Sequence, residues 1–112
     1  MKMKSLVLFP LLVLMSVGAR AESDAQFAAI ARLAGLNAVA LQCRFLDQTQ
    51  RIKAALVERL PKKRYLGEYF DAKTNMAYMD ALARHAACPE KSRLAADIGA
   101  AIAGLKTAFS AP

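Results

Sequence analysis

The sequence predicts a small all-α protein: an antiparallel bundle of three to four helices stapled by one disulfide. Three observations carry that expectation. Apolar residues recur at intervals of three and four almost throughout, and no stretch alternates as a strand would. Short breaks marked by Pro61 and Pro89 separate the later runs, as the connections of a helical bundle do. The chain of 112 residues has only two cysteines, Cys43 and Cys88, placed far apart.

The N-terminus reads as a leader and not as part of the fold. Lys2 and Lys4 give a positive start, Leu6 to Met15 an apolar run, and Ala19-Arg20-Ala21 the small-x-small pattern of a cleavage site. Ten apolar residues are too few for a helix crossing a hydrocarbon core, which takes roughly 20. The expected domains are therefore residues 1–21 as signal peptide and 22–112 as a single helical domain, periplasmic or secreted after cleavage near Ala21. No membrane span is expected in what remains.

Removing Lys2, Lys4 and Arg20 leaves 13 basic against nine acidic residues, a net +4 in place of +7. That charge favours solubility and weak attraction to anionic surfaces, and an exported chain is kept from nucleic acid. Alanine fills 22 of the 91 remaining positions, so the core has small side chains. Each buries little area at about 25 cal/mol per Å², and a domain of this size gains much from a covalent link.

The first helix is expected to start at Ser23-Asp24-Ala25-Gln26. Ser and Gln at this spacing form a capping box, and Asp24 suits the positive end of the helix dipole. Phe27, Ile30, Ala31, Ala34, Ala38 and Leu41 then form one stripe. Gly35 costs about 1 kcal/mol inside a helix and is tolerable where a neighbouring helix packs closely. A second helix carries Leu46, Ile52, Leu56 and Leu60, with Val57 beside them. The polar segment from Asp47 to Arg51 reads equally as a turn or as exposed helix, so the first two helices are continuous or broken. Pro61 ends the second, because the residue before a proline is pushed out of helical geometry.

A third helix is expected from about Lys63 to His85, with Leu66, Tyr69, Phe70, Met76, Met79 and Leu82 as its apolar set. The last is expected to begin at Cys88-Pro89-Glu90, with Pro89 at the first helical position and Cys88 as the cap. Leu94, Ile98, Ala101, Ile102, Leu105 and Phe109 form a regular stripe. The small residues Gly99, Ala100, Ala103 and Gly104 suggest close packing within the bundle.

The cysteines admit three readings. Cys88 at a helix N-cap would have a stabilised thiolate. With His85, the pair would make a partial metal site, but the spacing matches no zinc pattern. Two cysteines in an exported chain pair with each other in the ordinary case, and there is no Cys-x-x-Cys. A Cys43–Cys88 disulfide is the expected outcome.

Arg59-Leu60-Pro61-Lys62-Lys63-Arg64-Tyr65 places four basic residues in seven around a proline. The bland reading is a solvated turn; the functional one is a surface for an acidic partner, anionic lipid or a phosphate-bearing glycan. Tyr65 and Tyr69, one turn apart, are either core or aromatic anchors. Arg59, Lys62, Lys63, Arg64, Tyr65 and Tyr69 are the candidate interaction residues. Glu68, Asp71 and Asp80 lie on one helix and do not oppose each other as a catalytic pair must. No nucleophile elbow or phosphate loop is present. No enzymatic activity, cofactor or metal is expected.

The segments LNAVALQC, RIK, GEYFDAKTN, ACP and AIAGLKTAF resemble small secreted or periplasmic helical proteins of proteobacteria with two cysteines. The resemblance implies export and a helical fold, and no particular activity. The layout is also similar to that of some immunity proteins against cell-wall amidase toxins. The expected function is a non-enzymatic binding or accessory protein of the cell envelope, acting through protein–protein contact with an acidic partner. The alternative is a small-molecule or envelope-stress sensor, using a Tyr/Met-lined interior or the cysteine pair.

Overall fold

A computed structural model describes residues 21–110, and all but Ala21 of the expected leader lies outside them. The described residues form four helices: α1 (Asp24–Gln42), α2 (Leu46–Arg59), α3 (Arg64–Arg84) and α4 (Lys91–Ala108). The fold is the expected small all-α bundle. None of these helices is long and apolar enough to cross a membrane.

The start of α1 follows from its cap. Ser23 Oγ accepts from Gln26 N at 3.1 Å and Ser23 N donates to Gln26 Oε1 at 2.8 Å, a closed capping box. Gln26 also donates from Nε2 to the Ala108 carbonyl at 3.0 Å, so the same side chain satisfies the last turn of α4.

The first two helices are broken, by a turn the sequence does not advertise. Arg44 takes φ 62°. Its N–H donates to Leu41 O at 3.3 Å, and Phe45 N donates to Ala40 O at 2.8 Å. This is a Schellman turn with arginine where glycine is usual. The end of α3 repeats it. His85 has φ 54°, His85 N donates to Leu82 O at 3.2 Å, and Ala86 N to Ala81 O at 3.0 Å.

The helices run up, down, up and down, but the arrangement is built around α1. It packs on α3, on α4 and on α2, most extensively on α3. Phe27 meets Tyr69 and Gln42 reaches Ala86, so α1 and α3 run in the same direction. Three neighbours explain why Ile30, Leu33, Ala34, Asn37, Ala38 and Ala40 are all buried, a broader arc than a single stripe. Ile52 and Leu56 from α2, Leu66 and Phe70 from α3, and Leu94, Ile98, Ala101 and Leu105 from α4 complete the core.

Several expectations are corrected here. Leu41, Leu46, Val57, Met76, Met79 and Leu82 are exposed. On α3 the inward register is Leu66, Phe70, Thr74 and Ala81, which turns the methionines away from α1. Helix α4 begins at Lys91 with Glu90 as its cap residue, so Pro89 precedes the cap and Cys88 lies earlier still. Gly35 and Gly104 have open space where a Cβ would stand. Among the described glycines only Gly99 is approached, by Arg51 Nη2 at 3.1 Å from that position. Arg51 crosses there to donate to Ala95 O at 3.1 Å.

Candidate functional site

The basic turn is shaped by Pro61, which leaves Leu60 extended (ψ 143°) and stops α2. Lys62 Nζ folds back to donate to Val57 O at 2.7 Å, capping a last-turn carbonyl. Lys63 Nζ pairs with Glu22 Oε2 at 2.9 Å, and the Tyr65 hydroxyl donates to the other Glu22 oxygen. The Tyr65 phenol, and after it the Lys63 ammonium, hold the Glu22 carboxyl below its ordinary pKa. Glu22 in turn raises Lys63 and Tyr65. Three of the six candidate residues thus spend polar groups on the chain itself, fastening the entry to α1 against the start of α3.

Of the others, Arg59 is half-buried and Arg64 exposed. Tyr69 is half-buried, meeting Phe27 edge-on at 4.9 Å between ring centroids. Lys73 Nζ stands 5.5 Å from the Tyr69 centroid. The two tyrosines therefore divide: Tyr69 packs on α1, while Tyr65 remains 46% exposed.

Tyr65 belongs instead to a row that its pairing with Tyr69 obscures. At 3.6 residues per turn, Tyr65, Ala72, Met76, Met79 and Ala83 fall on one side of α3, and all five are exposed. Met76 is 62% and Met79 59% exposed. Leu82 flanks them. Helix α3 carries apolar residues on two sides, so periodicity alone could not tell which side faces α1.

A concavity lies between α1, α2 and α3. It is an open cleft of about 400 Å³ lined by Asn37, Leu41, Lys53, Asp71, Thr74, Asn75 and Tyr78. Asn37 Nδ2 donates to Thr74 Oγ1 at 3.4 Å, whereas Asn37 Oδ1 is buried and has no partner. Sequence reasoning missed this site, because its charged members read as ordinary solvated positions of separate helices.

The cysteines are joined. Cys43 and Cys88 form a disulfide with Cα atoms 5.8 Å apart, and neither is free. The bond ties the residue before the Arg44 turn to the segment after the His85 turn. It fastens the loop leading into α4 to the C-terminal end of α1. Comparison with protein-family models, curated proteins and solved structures finds no match to this chain.

Proposed function

We propose that this chain is an exported, non-enzymatic binding protein of the cell envelope that acts through protein–protein contact with an acidic partner. The observation that carries the reading is the outward row on α3, Tyr65, Met76 and Met79, left open on a helix whose opposite side is fixed to α1. Large apolar side chains grouped on one exposed face favour association. Methionine adapts its shape to a partner, and tyrosine and arginine are common anchors of interfaces. Arg59 and Arg64 lie at the Tyr65 end of the row, and the net charge of residues 22–112 is +4. Both favour a partner with an acidic rim.

The test is gentle crosslinking in the native envelope, comparing the natural chain with Met76→Asp/Met79→Asp and with Arg64→Glu. All three positions are exposed, so helicity should be retained. A stoichiometric partner captured by the natural chain and lost from both variants supports the reading. Equal capture by all three removes the α3 row from consideration. The mass of the chain recovered from the envelope tests the export step, with a start at Glu22 expected.

A further inference from the structure

The cleft between α1, α2 and α3 has a chemistry that its structural role does not require. Its floor is Asn37 and Thr74, both buried. Around the rim stand Lys53 from α2, Asp71, Asn75 and Tyr78 from α3, and Leu41 from α1. Asp71, Thr74, Asn75 and Tyr78 recur at three-and-four spacing, so one continuous face of α3 is polar toward the cleft. The row of Met76 and Met79 lies on a different face.

Lys53 and Asp71 carry opposite charges on opposing walls and are not joined. The ion pairs among the described residues are Glu22–Lys63, Asp80–Arg84 and Asp47–Lys91. Asn37 Oδ1 is an acceptor without a donor. Buried acceptors are nearly always paired with protein, water or ligand. A lone anion entering the cleft would meet Asp71, and a lone cation would meet Lys53. A molecule with both charges satisfies both walls.

We propose that this cleft binds a small zwitterion of the free α-amino-acid class. The carboxylate lies against the Lys53 ammonium and the ligand ammonium against the Asp71 carboxylate. One N–H is donated to Asn37 Oδ1 once that carboxamide turns toward the cleft. Leu41 and the Tyr78 ring receive the ligand side chain. A volume of about 400 Å³ falls within the ordinary range of small-molecule sites, in which a few convergent polar groups fix orientation. The site is separate from the α3 docking row, and neither proposal rests on the other.

The experiment uses residues 22–112 with the disulfide intact. Each common α-amino acid is added singly at millimolar concentration, and binding is read by thermal unfolding and by amide chemical shifts. At least one amino acid is expected to raise the melting temperature and to shift amides near Asn37, Lys53 and Asp71. Its carboxamide and its N-acetyl derivative should each bind at least about tenfold more weakly, as expected when a charge-assisted hydrogen bond is lost. Lys53→Gln should abolish the preference for acid over carboxamide, and Asp71→Asn the preference for free amine over N-acetyl. Both side chains are exposed, so both variants should keep the fold, which circular dichroism checks. The proposal is overturned if no amino acid perturbs the protein, as expected where a water alone satisfies Asn37. It is equally overturned if both variants bind and discriminate like the natural chain.

Discussion

Replacing both cysteines by alanine, Cys43→Ala/Cys88→Ala, is the perturbation whose size the structure sets most directly. The bond joins residues separated by 45 positions. In the chain-entropy model, a closed loop of that length removes enough freedom from the unfolded chain to contribute about 4 kcal/mol. Domains of this size have total stabilities of roughly 5–10 kcal/mol, so the variant should lose a large share. For 60–100 residues, each kcal/mol moves the melting temperature by about 4–8 °C, and a fall of about 15–30 °C is expected. Urea unfolding followed by circular dichroism measures the difference. The helices keep their other contacts, so the unliganded variant should still fold in the cold with the same spectrum. A loss below about 1 kcal/mol with an unchanged denaturant slope would refute the reasoning. It would mean that the unfolded chain already holds these two segments together.

Arg44→Gly and His85→Gly should each stabilise the protein by about 0.5–1 kcal/mol, since both residues occupy a left-handed conformation that glycine adopts without strain; a lower urea midpoint in either would show that the lost side chain outweighs the strain. Gly35→Ala and Gly104→Ala enter open space and should also add about 0.5–1 kcal/mol each. Gly99→Ala should add less, because its Cβ meets Arg51 Nη2 at 3.1 Å; equal gains at all three would show that Arg51 yields freely. Tyr65→Phe removes the strongest influence holding the Glu22 carboxyl low, so its titration, followed by carbon NMR, should move up toward the ordinary carboxylate range. Because the folded pKa is depressed, whatever stability this contact contributes is complete above the ordinary value. It is lost as pH falls through the depressed one, and Tyr65→Phe should flatten that acid dependence. An unmoved Glu22 titration would discount the hydroxyl.

Local signals were legible where one residue type has one job. Ser23 and Gln26 announced the start of α1, Pro61 the end of α2, and the stripe from Leu94 to Leu105 the buried side of α4. Legibility failed where tertiary context decides. Arg44 and His85 end their helices in a conformation usually marked by glycine, so the break after Cys43 had no signature. Pro89 suits a first helical turn equally well as a position before the cap, and here it takes the latter. The methionines of α3 read as core because periodicity identifies apolar sides but not which of two meets a neighbour. Of the candidate site, the tyrosines and basic residues were visible, but their pairing with Glu22 was not, since that contact spans some 40 positions of sequence. The cleft was invisible for the same reason: Asn37, Lys53 and Asp71 become neighbours only when three helices assemble.

The central position of α1 also has a consequence for the order in which the molecule is made. Among the described helices α1 comes first in the chain, and each of the other three packs on it. Its N-terminal turn meets the far end of α4, with Gln26 bound to Ala108 across 82 positions. A growing chain that stops short of α4 lacks Leu94, Ile98, Ala101 and Leu105, so the core closes only once that helix arrives. Long-range closure of this kind slows folding relative to helical hairpins that complete themselves locally. On the proposed export route that delay is useful, because a polypeptide that cannot close early stays threadable until it has crossed.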